Sequence, residues 1–295
     1  MKKIHINSLE PSQQQLNTLL EHYKAKRYVD VEKLSISITQ EFPEHPFAWK
    51  ALAVVLKLTG RLNESLVANQ KSAQLNPEDA EIHNNLSITF QELSRFDESE
   101  ASCRQAITLK PDYAEAHYNL GNTLKELGRL DEAETSYRQA ITLKPDYVEA
   151  HVNLGIIHNE FGKLEEAENN YNQAKALDPS FALAHYNLGN NLREQGRLDE
   201  AEDSYKQAIA LKPDFIAAQS NILFLIASMR FDASRYRKEA KSFAAAVAEQ
   251  ISSPYKTWSC SKSSKKIRVG FVSGDFKEHP VGIFLEGLLV QLQSS

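Results

Sequence analysis

AEAHYNLGNTLKELGRLDEAETSYRQAITLKPDY, residues 114–147, holds the pattern that decides the fold. Leu120, Leu124 and Leu127 recur at spacings of four and three, which is one face of a helix. After Gly128 the pattern resumes with Ala133, Tyr137, Ala140 and Ile141. Gly128 tolerates the left-handed backbone that ends a helix. Asp131 with Glu134 has the spacing of a capping box that opens the second helix, as do Asp97 with Glu100 and Asp199 with Glu202. Pro145 then stops that helix from running on. The stretch reads as a helix hairpin, and its small residues Gly121 and Ala133 let the two helices approach closely.

Outward from this unit the same punctuation returns without a slip. Pro43, Pro77, Pro111, Pro145, Pro179 and Pro213 stand 34 residues apart and are six of the ten prolines. Gly60, Gly162 and Gly196 are the counterparts of Gly128. A fixed period in this range marks a repeat architecture in which each unit stacks on its neighbours and builds an extended surface. After a tail at 1–11, the units begin near 12, 46, 80, 114, 148 and 182, with a partial one at 216. Together they fill 12–227. Residues 228–255 lose the period, yet Tyr236, Phe243, Val247 and Ile251 keep helical spacing, with Asp232 as N-cap. This segment is expected to cover the open end of the stack.

The unit resembles the tetratricopeptide repeat. The marks of that family fall on Leu120–Gly121, Ala133, Tyr137, Ala140 and Pro145, then on Leu154–Gly155, Ala167, Tyr171, Ala174 and Pro179. They fall again on Leu188–Gly189, Ala201, Tyr205, Ala208 and Pro213. Earlier units drift. Ser65 and Ser99 replace the packing alanine, and in the first unit Thr18 and Val31 replace the leucine and the alanine. The resemblance implies an all-α fold, a right-handed superhelix whose first helices line the concave side.

On that side the sixth position of the unit reads Asn85, Asn119, Asn153, Asn187 and Asn221. Asparagine in mid-helix costs roughly 0.5 kcal/mol against alanine, so five in register are not there for helix stability. A carboxamide offers an acceptor and two donors and so can bind the backbone of an extended peptide. With helices ~8–10 Å apart and an extended rise of ~3.3 Å per residue, each rung would meet about every third peptide residue. The alternative is that the amides only solvate a groove or bond a neighbouring helix.

Other chemistries fit less well. His83, His117, His151 and His185 also fall in register, at the position held by Trp49. One repeat apart, they cannot share a metal whose ligands each lie ~2.0–2.1 Å away. They read as packing residues, and no metal is expected. A clamp for acidic C-terminal peptides would use Lys50 and Asn85, but Val54, Glu115 and Asn119 occupy its other places. Net charge is −5, with 42% hydrophobic and 25% charged residues, which offers no basic field for nucleic acid or an acidic membrane. Cys103 and Cys260, the two cysteines, sit in unrelated contexts. The N-terminus has no apolar run of signal-peptide type, so a cytoplasmic location is the expectation.

Residues 256–265, KTWSCSKSSK, read as a linker. The rest, 266–295, begins KIRVGFVSGDFKEHPVGIFLEGLL: a short strand at 267–272, a polar loop, and an apolar helix at 281–292. Its glycines do not form GxGxxG. With the repeats before it, this stretch resembles the opening of the catalytic domain in protein O-GlcNAc transferases, through Arg268 to Ser273, Asp275–Phe276 and His279–Pro280. The resemblance implies a fragment of an α/β glycosyltransferase lobe, with His279 in the active site as a proton acceptor near neutral pH. It also implies UDP-GlcNAc as donor and extended segments of protein substrates as partners. Only residues 266–295 of such a domain are present and the lobe that holds the donor is missing, so no transfer is expected of this chain. The alternative is a stand-alone scaffold for partner proteins.

Overall fold

The computed structural model describes residues 10–228 and 233–250. They form fourteen helices: α1 (Gln13–Lys24), α2 (Tyr28–Glu41), α3 (Pro46–Leu58), α4 (Leu62–Leu75), α5 (Ala80–Glu92), α6 (Phe96–Leu109) and α7 (Ala114–Glu126). α8 (Leu130–Leu143), α9 (Val148–Glu160), α10 (Leu164–Leu177), α11 (Ala182–Glu194), α12 (Leu198–Leu211), α13 (Ile216–Ser228) and α14 (Ala233–Gln250) follow. All belong to one unit, Met1–Gln250. A second unit, Ile251–Ser295, lies outside the described residues. So do the expected linker, strand and helix beyond it, His279, and the cap at Asp232.

Odd-numbered and even-numbered helices alternate as the first and second arms of hairpins. Each hairpin packs on the next through its second arm, so the stack is all-helical. First arms also approach one another across repeats, α3 with α5, α5 with α7 and α9 with α11, whereas second arms do not approach each other comparably. The first arms therefore lie on the inner side of the stack.

Three local devices repeat. Gly128 turns the hairpin at φ +74°, as its counterparts do, but in the first and third hairpins Lys26 and Ser94 hold the left-handed position at φ 56° and 57°. The arms then close on a tyrosine. The rings of Tyr137, Tyr171 and Tyr205 are almost wholly buried and lie over Gly121, Gly155 and Gly189, where an added Cβ would stand 2.6 Å from a ring carbon. Each repeating proline sits one residue past the C-cap of a second arm. Its carbonyl is held by a side chain six residues on: Trp49 Nε1 to Pro43 at 2.7 Å, His117 Nε2 to Pro111 at 3.0 Å, His151 Nε2 to Pro145 at 3.0 Å. His83, His185 and Gln219 do the same at Pro77, Pro179 and Pro213. Trp and Gln can only donate through these nitrogens, so the imidazoles in the same place carry their proton on Nε2.

The capping boxes expected at Asp97, Asp131 and Asp199 do not form. The second arms start two residues earlier, with Arg95, Arg129 and Arg197 at the N-cap and no side-chain cap bond. The aspartates fall inside the first turn, where their charge complements the exposed N–H groups. Glu100 and Glu134 sit further into the helix and reach the following repeat: Arg129 bonds Glu100 at 2.7 Å and Lys163 bonds Glu134 at 3.5 Å. Arg197 pairs with Glu168 at 2.7 Å in the same sense. Glu202 pairs with Lys206 at 2.5 Å and with Arg235 of α14. The capping box among the described helices is at α1, between Ser12 and Gln15.

Apolar packing is uneven along the stack. One cluster joins Val31, Ile38, Leu52 and Val55 near the N-terminus, and another joins Leu188, Leu192, Tyr205, Ile222 and Leu225 near the other end, with Tyr236 of α14 against it. Between them a further cluster joins Cys103, Leu124, Tyr137 and Ile157 across α6 to α9, and α4 and α5 contribute only a small one of Leu66, Leu86 and Phe90. There the buried contacts are polar instead. Ser65 donates to the Ala53 carbonyl at 2.8 Å, Ser99 to that of Ser87 at 3.0 Å, and Asn69 to Thr89 Oγ1 at 3.1 Å.

Candidate functional site

The inner surface is built from the first arms, and residues three apart on each share a face. Asn119 and Asn122 on α7 occupy such a pair, as do Asn153 with Ile156 on α9 and Asn187 with Asn190 on α11. The ladder asparagines are used in different ways. Asn119 is buried and donates to Asn84 Oδ1 at 2.8 Å. Asn153 donates to Asn122 Oδ1 at 2.8 Å and to the Tyr118 hydroxyl at 3.2 Å. Asn221 donates to Asn190 Oδ1 at 2.9 Å. Asn85 is half-buried, and its carboxamide makes no hydrogen bond among the described residues. Asn187 is 9% exposed and its Nδ2 has no partner among the described residues.

A second set of asparagines, not expected from the sequence, carries these bonds. Asn122 Oδ1 accepts from the Tyr137 hydroxyl at 2.8 Å as well as from Asn153. Asn190 Oδ1 accepts from the Tyr205 hydroxyl at 2.8 Å as well as from Asn221. Each carboxamide thus ties the buried tyrosine of its own hairpin to the first arm of the next. The signal was in the sequence, since the ninth position of the unit reads Ile88, Asn122, Ile156 and Asn190.

A cavity of about 300 Å³ opens on this surface between α9, α11 and α13. Asn187 and Asn221 of the ladder line it, with Tyr171 and Ile156 at its floor; Asn85, Asn119 and Asn153 do not. Its rim carries Glu160, Glu194 and Arg193, two carboxylates to one guanidinium. Arg193 forms no ion pair among the described residues, and its guanidinium lies 5.9 Å from the centre of the Phe224 ring. Burial pushes the Tyr171 phenol well above its usual range, and the nearby charges of Glu194 and Glu160 push it further. The hydroxyl therefore stays protonated and able to donate.

Other candidates resolve plainly. Lys50, which an acidic-peptide clamp would need free, is held by Asp79 at 3.0 Å and by Glu81. Among the described residues, no three metal-ligating side chains converge, and no helix is long and apolar enough to cross a membrane. Cys103 is buried, and desolvation pushes its thiol up to about 11.

The repeated helix hairpin agrees with comparison to known proteins. A TPR repeat model matches residues 92–128, 121–160 and 157–192, and a tetratricopeptide repeat model matches 182–215. The chain carries tetratricopeptide repeats. The solved TPR protein YrrB, described as having an unusual peptide-binding site, is 21% identical, with a TM-score of 0.51 over 63% of this chain and 96% of that one. PilW, a type IV pilus biogenesis factor, is 18% identical, with a TM-score of 0.65 over 72% of this chain and 100% of that one. PilF of Pseudomonas aeruginosa is 18% identical, with a TM-score of 0.60 over 69% and 90%. At these identities the likeness is one of fold. Comparison with curated proteins gave no match.

Proposed function

We propose that this tetratricopeptide stack is a protein-interaction scaffold that holds extended segments of partner polypeptides along its first arms. The observation that carries the reading is the row of carboxamides on the inner side, which opens into a polar cavity at Asn187 and Asn221. Such a surface has donors and acceptors for a peptide backbone. The test is equilibrium capture of a random-sequence peptide library on the immobilised full chain. Enrichment that an excess of soluble chain abolishes supports the reading; the absence of any enriched sequence overturns it.

A second reading is favoured by one observation, the sequence RVGFVSGDFKEHP at 268–280. On that reading the repeats are the recognition arm of a protein O-GlcNAc transferase-like enzyme. They would pass serine and threonine hydroxyls to a site containing His279, with UDP-GlcNAc as the donor. The nucleotide sequence that follows the codon for Ser295 tests it. A continuing frame that encodes a second α/β lobe supports the transferase arm, and a well-supported stop favours the scaffold.

A further inference from the structure

Two hydroxyl–carboxamide–carboxamide chains run across the inner surface, Tyr137–Asn122–Asn153 and Tyr205–Asn190–Asn221. The repeat between them has both ends of such a chain and lacks its middle. Tyr171 and Asn187 occupy the end positions, but Ile156 stands one period from Asn122 and from Asn190. The consequence is visible in both donors. Asn187 Nδ2 is fully buried without a partner among the described residues, and the Tyr171 hydroxyl, which bonds none of them either, is left to the cavity. Both groups line the same cavity. A buried donor left unpaired costs more than a paired one gains, so the site is poised to accept the missing oxygen from elsewhere.

We propose that this cavity binds the side-chain carboxamide of a glutamine or asparagine from a partner polypeptide, replacing the carboxamide that Asn122 and Asn190 supply next door. The proposal rests on the scaffold reading and names what that scaffold selects. The ligand oxygen would accept from Asn187 Nδ2 and the Tyr171 hydroxyl, and its NH2 would donate to the rim carboxylates of Glu160 or Glu194. A glutamate would bring a charge to a rim with two carboxylates and one guanidinium. A leucine would leave both donors unpaired. A main-chain carbonyl supplies the acceptor, but the N–H of its trans peptide points the opposite way and cannot reach the rim carboxylates at the same time.

The experiment compares the full chain with Ile156→Asn, which would supply the missing carboxamide internally. Both are panned against the same random-sequence peptide library, and melting midpoints are recorded. The expected result is enrichment of glutamine or asparagine at one peptide position on the native chain, reduced about tenfold or more on I156N. I156N would gain two bonds and lose the packing of a half-buried isoleucine, so its melting midpoint should stay within about 2–4 °C of the native chain's. Capped peptides carrying Gln, Glu or Leu at the selected position should bind in that order, and the Gln peptide should shift the Asn187 side-chain amide resonances. Enrichment without a carboxamide preference, or enrichment equal on both proteins, overturns this subsite and leaves the scaffold reading standing. No enrichment on either protein overturns both. If I156N fails to fold, Asn187→Leu takes its place in the panning, and an unchanged carboxamide preference on that variant overturns the subsite.

Discussion

At the scale of single residues the repeat leaves little room for change. Gly155→Ala would drive a methyl to 2.6 Å from the Tyr171 ring. Overpacking of this kind costs about 1–3 kcal/mol, and the gain of roughly 1 kcal/mol in helix propensity offsets part of it. Urea unfolding should therefore show a net loss of up to about 2 kcal/mol. Cys103 offers a chemical check of the same core. With its thiol pushed up to about 11 by burial, it should resist alkylation at neutral pH in the native chain and react once urea unfolds it. Mass-spectrometric mapping of the labelled peptide separates it from Cys260. The tyrosine and glycine positions could be read from the sequence because their spacing is regular. The carboxamides that bridge the repeats left a fainter mark, because only two of four ninth positions, Asn122 and Asn190, carry one, and spacing does not show which residue each will bond 31 positions on. The ladder at the sixth position was legible, but the role of each amide depends on which residue stands three positions on in the preceding repeat.

At the scale of the helix and its ends, the hold on each proline carbonyl asks only for a donor of suitable reach. His185→Gln should be nearly neutral, since Gln219 fills the same place in the next unit, whereas His185→Leu should cost about 1 kcal/mol by denaturant titration. The same histidine links stability to pH. Burial, the largest influence, lowers its pKa below 6.5 in the folded chain despite the bond to Pro179, and Lys175 lowers it further. The unfolded chain then binds more protons between the two pKa values. This contribution is therefore complete above about 6.5 and declines as pH falls through the folded pKa. Melting midpoints of the native chain should drop over that window more than those of His185→Gln. In the third hairpin, Ser94 holds a left-handed turn that glycine adopts more readily, so Ser94→Gly should stabilise by about 0.5–1 kcal/mol in thermal melts. Helix existence was legible here, and helix starts were not. Spacing alone made Asp131 an N-cap, but the tight turn after Gly128 starts the helix at Leu130 and leaves Glu134 free to serve the next repeat.

At the scale of the whole stack, stability should not be shared evenly. Apolar clusters run through α1 to α4 and from α6 to α13, while the junction of α4 with α5 relies on buried serine, threonine and asparagine beside a small apolar cluster. Stacked repeats open locally when one interface is weak. Hydrogen exchange read by mass spectrometry should show α4 and α5 exchanging ahead of α9 to α12, and equal protection throughout would contradict this. The drift that weakens the family marks in the early units, Ser65 and Ser99 above all, was the part of this unevenness visible in the sequence. Fluorescence and circular dichroism should then report different unfolding midpoints. The links between hairpins carry a further meaning. Arg129 with Glu100, Arg197 with Glu168, Asn153 with Asn122 and Asn221 with Asn190 each join partners 29 or 31 residues apart, always one from a unit and one from its neighbour. Excising or duplicating a complete module would recreate equivalent seams on both sides, whereas a shift of one residue would misalign every seam beyond it. Such a chain can change its reach in whole steps, like a ruler cut only at its graduations.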